Sequence, residues 1–387
     1  MNPTNRPLKL IFAGGGTGGH LYPAIAIADR IKEMLQGHQS VDILFVGTKR
    51  GIEYRIKDNL GYPLHLINVR GLVRSLTLKN LLVPFLFIGA LIKAGALMKQ
   101  FSPDIVIGTG GYVSLPVLRA AVSKKIKTVI QEQNSFPGIA TRQLAAHAEC
   151  VYLGFAEAKS MLSDSSHTVF TGNPVRSTIS QGDRADAIKA FKLDPQKKTI
   201  LILGGSQGAR AINNAILHSS KTHAINNNYQ LLWQTGKRDY SDVVATAGEA
   251  VGIHALFPFE NRMPLVYAAA DLVIARAGAL TLAELEACEL PAILIPYPYA
   301  AGDHQRKNAI AFVERGCAEV IEESELECDD LLSRAVALLE SDRAQKMKAA
   351  LHLSNQNRRP AVDLIAEDIL SRIETTSRRQ VVTGGAN

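Results

Sequence analysis

Cysteine is scarce in this chain, and its four copies, Cys150, Cys288, Cys317 and Cys328, stand far apart with no C-x-x-C pair. That pattern excludes a zinc ribbon and a disulfide scaffold and suits a reducing cytosol. Long apolar runs are missing as well. The stretch Leu81 to Ile92 is twelve residues, contains Pro84 and stops at Lys93, short of the roughly 20 residues a membrane span requires. Met1 to Pro7 carries no apolar leader ahead of the first apolar strand, so export is not expected. No D-x-D occurs, and the Asp303-His304 pair lacks a third ligand at recognisable spacing, so no bound metal is expected. Acid is absent altogether between Arg70 and Gln100.

What is present is an ordinary globular composition. The 387 residues are 47% hydrophobic, enough for two or three domains with buried cores. A net charge of +7 suits an anionic partner without separating nucleic acid, lipid and phosphorylated substrate. Apolar runs at Val41–Val46, Leu64–Val69, Ile105–Ile107, Thr128–Ile130 and Val151–Leu153 alternate with helix-length segments. The rhythm repeats at Ile200–Leu203, Gln230–Trp233, Ala255–Phe257, Leu272–Ile274 and Ala292–Ile295. Strands spaced by helices read as parallel sheets, so each half is expected to be one Rossmann-like α/β domain, the two facing a cleft. The join falls in Thr171-Gly172-Asn173-Pro174-Val175-Arg176, rich in turn formers. The expected division is an N-terminal domain over 1–174 and a C-terminal domain over 175–356. An amphipathic helix at about 357–374 and a flexible tail over 375–387 follow.

Each half begins with an apolar strand that runs into a glycine cluster and then a helix: Gly14-Gly15-Gly16-Thr17-Gly18-Gly19-His20 in the first, Gly204-Gly205-Ser206-Gln207-Gly208-Ala209 in the second. Such a loop lets backbone approach a ligand and sets the positive helix end beside it, which suits a phosphate. Gly14-x-Gly16-x-x-Gly19 satisfies the dinucleotide fingerprint, but the second strand ends Val46-Gly47-Thr48-Lys49 without the acid that would hold a ribose. His20-Leu21 stand where a Walker loop needs Lys-Ser/Thr. His20 falls in the first turn of its helix, where the dipole favours the neutral imidazole that a general base requires; the alternative is a histidine that caps or packs. A second glycine turn, Gly110-Gly111-Tyr112-Val113-Ser114, follows the strand at Ile105. In the second half, Glu284 lies about one turn into a helix after Gly278, placed either for a ligand hydroxyl pair or on a solvated face. The loop from Pro296 to Asn308 gathers polar groups suited to sugar hydroxyls.

The acid-free segment interleaves Arg70, Arg74, Lys79, Lys93 and Lys99 with Leu72, Val73, Leu76, Leu78, Leu81, Leu82, Phe85 and Phe87. An anionic membrane surface is the natural partner. The surface-seeking part is assigned to Leu72–Phe85, with Leu72, Leu76, Lys79, Leu82 and Phe85 as contacts; Ile88–Met98 is expected to be a core helix.

Seven pieces in order, Gly14–His20, Gly110–Ser114, Glu132-Gln133-Asn134, Gly172–Arg176, Gly204–Ala209, Gly278–Glu284 and Asp303-His304-Gln305, resemble the MurG family of bacterial transferases, over Lys9 to about Ile373. The resemblance implies the glycosyltransferase B architecture, with the C-terminal helix crossing back to the first domain. It implies inverting transfer of N-acetylglucosamine from UDP-N-acetylglucosamine to the muramoyl 4-hydroxyl of lipid I (undecaprenyl-pyrophosphoryl-muramoyl-pentapeptide), giving lipid II. The setting would be the cytoplasmic face of the bacterial inner membrane. By the same resemblance His20 is the base, Ser206 meets the donor diphosphate with Arg176 near it, Glu284 holds the ribose diol and Gln305 the sugar. The helix-start backbone at Ala279, Leu280, Thr281, Leu282 and Ala283 also lies on the donor. Thr17, Gly18, Gly19 and Asn134 approach it from the other domain. The backbone of Glu260 would read the uracil, although the family usually has an apolar residue there. Gly15, Gly16, Gly111, Tyr112 and Ser114 would hold the acceptor pyrophosphate. No cofactor, metal or nucleic acid is implied, and other cell-wall synthesis proteins are candidate partners. A UDP-N-acetylglucosamine 2-epimerase or a glycolipid synthase would share the architecture. A non-catalytic nucleotide-sugar or lipid-binding protein would leave His20 idle.

Overall fold

The near-continuous apolar run Leu8–Ala13 is what a central parallel strand, covered on both faces, requires. The computed structural model describes residues 6–70, 83–205, 208–222, 228–247, 253–326, 330–356 and 358–383. It divides into two units, Met1–Arg176 with Arg359–Asn387, and Ser177–Arg358.

In the first unit the strands are β1 (Leu8–Gly14), β2 (Val41–Gly47), β3 (Leu64–Leu66), β4 (Ile105–Gly110), β5 (Lys127–Glu132), β6 (Cys150–Leu153) and β7 (Thr168–Phe170). They form one parallel sheet in the order β3-β2-β1-β4-β5-β6-β7. Strand order reverses between β1 and β4, and ligands of doubly wound sheets bind beyond the carboxyl ends of strands at that point. The loops after β1 and β4 are the two glycine turns. The β1–β4 register slips between Ala13 and Gly14, which sets Gly14 opposite Gly110.

The last helix, Ala361–Thr383, belongs to this unit. Its Ile365, Ala366, Ile369 and Ile373 share a core with Leu21, Ala24, Ile27 and Ile31 of the helix Gly18–Leu35. Residues at intervals of four fall on one helical face, and each fully buried isoleucine contributes about 1.5–3 kcal/mol. Asp363 pairs with Arg30 at 2.6 Å, and Asp368 accepts from the Tyr152 hydroxyl at 2.6 Å. Burial, then the Asp368 carboxylate, pushes the Tyr152 phenol well above its ordinary range. The helix continues to Thr383, where a flexible tail is expected from residue 375. The physical reason is that no Gly or Pro occurs in the segment before Gly384-Gly385.

The helix Val83–Phe101 buries Ala90, Ala94, Leu97 and Met98. Its opposite face leaves Phe85 73%, Ile88 54% and Ile92 68% exposed. By length and composition it could cross a membrane, yet its inner face is built into the core of the unit. The expectation of a plain core helix over Ile88–Met98 therefore holds for one face only. Leu72, Leu76, Lys79 and Leu82 lie outside the described residues.

The second unit contains β8 (Lys198–Leu203), β9 (Tyr229–Gln234), β10 (Ile253–Phe257), β11 (Leu272–Ala275), β12 (Ala292–Leu294) and β13 (Ala318–Val320). The sheet is parallel, in the order β10-β9-β8-β11-β12-β13, reversing between β8 and β11. Its core surrounds the fully buried Trp233, whose indole N–H donates to Asn213 Oδ1 at 3.1 Å, so the large ring is buried without an orphaned donor.

Candidate functional site

Gly18–Leu35 starts directly after the first glycine loop, with Thr17 extended at the N-cap and no side chain capping the helix. First-turn amides are therefore left for solvent or a ligand. His20 sits in that turn. Its Nδ1 lies 2.9 Å from Gln133 Oε1 and 3.1 Å from the Thr109 carbonyl. The Thr109 hydroxyl donates to the His20 carbonyl at 2.8 Å, so β4 grips both ring and backbone of the histidine. The glycine turn after β4 makes room for this. Gly110 has φ +97°, and a Cβ there would stand 2.6 Å from His20 Nδ1; at Gly111, φ +76°, it would collide with the Gly15 carbonyl. Among the described residues His20 Nε2 makes no hydrogen bond.

Glu53 was not singled out in the sequence, and it organises the first loop. It is fully buried, and its two carboxylate oxygens accept from Thr48 N at 2.8 Å and Gly16 N at 2.8 Å. Gly15, Gly47 and Gly51 surround it where a side chain would collide with the carboxylate. The acid missing from the end of β2 thus arrives through the short helix Ile52–Arg55, and it binds the loop itself. Its only local signal was an isolated acid just after a glycine.

Other expected acceptor residues divide. Tyr112, 36% exposed, borders Gly16. The Gly16 amide, by contrast, is committed to Glu53. Ser114 is buried, and its hydroxyl accepts from Gly110 N at 3.0 Å and donates to the Ala13 carbonyl. It stitches the ends of β1 and β4. Asn134 opens the turn after β5; its amide donates to Glu132, which also accepts from Gly138 N and the Thr141 hydroxyl. Arg176 lies over the Tyr22 ring at 5.5 Å.

In the second unit, Ser206 and Gln207 lie outside the described residues. The helix Ala279–Ala287 starts at an extended Gly278, again uncapped by a side chain. Leu282 is buried and its amide donates to the Gly278 carbonyl at 3.0 Å, closing the first turn of the helix. Ala283 follows it inside the helix, leaving Ala279, Leu280 and Thr281 as the first-turn amides. Glu284 accepts from the buried Tyr267 hydroxyl at 2.7 Å. Gln305, in the helix His304–Glu314, accepts from Tyr297 N at 3.0 Å. Arg276 braces the same loop, donating to the Ile295 and Pro296 carbonyls and pairing with Glu323. The Glu260 amide donates to Gln234 Oε1 at 3.0 Å. Hydrogen bonding to Arg262 holds the Glu260 carboxyl below its ordinary range.

Residues 10–153 match the glycosyltransferase family 28 N-terminal domain, and residues 199–365 match the glycosyltransferase family 28 C-terminal domain. A Chlorobium luteolum protein named UDP-N-acetylglucosamine-N-acetylmuramyl-(pentapeptide) pyrophosphoryl-undecaprenol N-acetylglucosamine transferase is 46% identical over 350 residues, 88% of this chain and 93% of its own. The chain belongs to glycosyltransferase family 28. A Carboxydothermus hydrogenoformans relative of the same name is 43% identical over 336 residues, 86% of this chain and 90% of its own. The crystal structure of Acinetobacter baumannii MurG is similar at TM-score 0.70 and 27% identity, covering 95% of this chain and 100% of that one. A Neisseria meningitidis UDP-GlcNAc 2-epimerase, at TM-score 0.63 and 16% identity over 95% of this chain and 100% of its own, shares the fold alone.

For this family 28 chain, cysteine chemistry has no foothold among the described residues. Burial pushes the thiols of Cys150 and Cys288 up to about 12 and raises that of Cys317, which keeps the nucleophilic thiolate out of reach. Nor does any group of three His, Cys, Asp or Glu side chains gather there as a ready metal site.

Proposed function

We propose that this glycosyltransferase moves N-acetylglucosamine from UDP-N-acetylglucosamine to the 4-hydroxyl of the muramoyl sugar of lipid I, with inversion, giving lipid II. His20 takes the proton as the acceptor oxygen attacks the anomeric carbon; the bond to the diphosphate breaks and its electron pair leaves with UDP. The first-turn amides of Ala279, Leu280 and Thr281, with Ser206 and Arg176, meet the growing charge on that leaving group. Glu284, held by Tyr267, takes the ribose diol, and Gln305 takes the sugar. With the Gly16 amide occupied, the acceptor diphosphate goes to the amides of Gly18 and Gly19, beside Tyr112. The observation that carries this reading is the placement of His20 at the switch point, in an uncapped first turn, with one ring nitrogen gripped and the other left for a proton. Release of UDP from UDP-N-acetylglucosamine, measured with and without lipid I, tests it. Strict dependence on lipid I is expected; lipid-independent UDP release, or conversion of the donor to its 2-epimer, would replace the transferase reading with an epimerase.

The enzyme works at the cytoplasmic face of the inner membrane as a peripheral protein. The support is the helix Val83–Phe101, whose exposed Phe85, Ile88 and Ile92 lie along one face with Lys93 beside them, a surface matched to acyl chains and anionic headgroups. Changing all three apolar residues to serine is expected to weaken partition onto anionic liposomes by about tenfold or more. Turnover of a short-chain soluble acceptor should persist. Co-sedimentation equal to that of the unaltered protein would assign the membrane contact elsewhere.

A further inference from the structure

We propose that Gln133 is a positioning residue that fixes which nitrogen of His20 carries the proton, keeping Nδ1 protonated and Nε2 as the basic atom. The inference rests on the reading of His20 as the base. It starts from the orientation of one buried amide. Gln133 is 2% exposed, and its Nε2 lies 2.7 Å from the Thr109 carbonyl and 3.1 Å from the Gln131 carbonyl. Carbonyl oxygens only accept, so the NH2 end must face them, and Oε1 must be the end 2.9 Å from His20 Nδ1. The Thr109 carbonyl, the second neighbour of Nδ1, also only accepts. A lone pair at Nδ1 would therefore confront two oxygens, whereas an N–H there satisfies both. A neutral imidazole with its hydrogen on Nδ1 has its lone pair on Nε2.

The amide is itself anchored. Gln133 Nε2 also reaches Gln131 Oε1, Gln131 Nε2 donates to Asn173 Oδ1 at 3.0 Å, and Asn173 Nδ2 donates to the Gln133 carbonyl at 2.9 Å. Each amide in this series has one end fixed by a group that can only accept or by the next oriented amide, so none can flip without breaking a buried or partly buried bond. The series begins in the Gly172-Asn173-Pro174 turn and ends on the histidine. A carboxylate in the place of Gln133 would also accept from Nδ1, but its second oxygen would face the Thr109 and Gln131 carbonyls. An amide is the group that suits both sides.

The experiment reads the tautomer directly. Long-range 15N–1H correlation spectra of the full-length protein, labelled at histidine and recorded at alkaline pH, are compared with those of His20→Ala to assign the His20 ring. The expected pattern is Nδ1–H with a bare Nε2; an Nε2–H pattern overturns the proposal. In Gln133→Met, similar in length but unable to accept, the pattern should move toward Nε2–H. In that variant kcat should fall by about tenfold to a hundredfold, with KM for UDP-N-acetylglucosamine within about twofold of the unaltered protein. An unmoved tautomer and unmoved kcat in that variant also overturn the proposal. If Gln133→Met fails to fold, the spectrum of the unaltered protein still decides. Should His20→Ala prove active, the base reading fails while the tautomer result stands, so the two failures are distinguishable.

Discussion

Replacing His20 with alanine is expected to lower kcat by about 10²–10⁴-fold, the range over which a positioned general base contributes. The affinity for UDP-N-acetylglucosamine should stay near normal, because the donor contacts proposed above come mainly from Arg176, Ser206, Glu284, Gln305 and the helix start at Ala279. An interaction made only in the transition state depresses kcat and kcat/KM together. Steady-state rates with the donor varied at saturating acceptor provide the check. Turnover close to that of the unaltered enzyme would remove His20 from the role of base. A raised KM with intact kcat would instead make it a binding residue.

The second large effect is expected on stability. Glu53→Ala strips the acceptor from two backbone amides, the buried one of Thr48 and the partly buried one of Gly16, around a carboxylate that is itself fully buried. Each buried amide left without a partner costs about 1–3 kcal/mol, and the emptied space between Gly15, Gly47 and Gly51 adds a cavity term. Relief of the carboxylate's own desolvation works in the opposite direction, but hydrogen bonds to a charged group are the stronger ones, and two of them are lost together. The sum is a loss of about 4 kcal/mol from the first unit, or a fall of about 10 °C in its melting temperature. Differential scanning calorimetry, with amide exchange to assign the transition to the first unit, measures it. A loss under about 1 kcal/mol would show that the loop holds its shape without Glu53.

The two-unit fold was legible because the strands nearest the centre of each sheet are runs of Val, Ile and Leu followed by glycine turns. β1, β4, β8 and β11 all stand where the apolar pattern places them. β7 and β13 escaped because each is a three-residue edge strand, too short to show a period. β3 ends at Leu66 although the apolar run goes on to Val69. The places of His20 in the first turn of its helix and of Glu284 about one turn into its own were legible from the glycines that precede them. The turn-closing bonds of Ser114 were not legible, because a serine beside glycines looks the same in sequence whether its hydroxyl faces outward or closes a turn. Glu53 and the orientation of Gln133 are tertiary facts. Glu53 meets a loop 37 residues away, and Gln133 meets a histidine 113 residues away. No local period records either meeting.

The return of the helix Ala361–Thr383 to the first unit has a consequence for biosynthesis. The helix Gly18–Leu35, which carries His20 in its first turn, shares its core with Ile365, Ile369 and Ile373 from the far end of the chain. A ribosome that has released everything up to Arg358 has exposed all of the second unit, which can close on itself while the first still has an uncovered apolar face. The unit made first is therefore finished only after the second has emerged, and any change that removes Ile365 and Ile369 strikes the histidine's helix from more than 300 residues away in sequence.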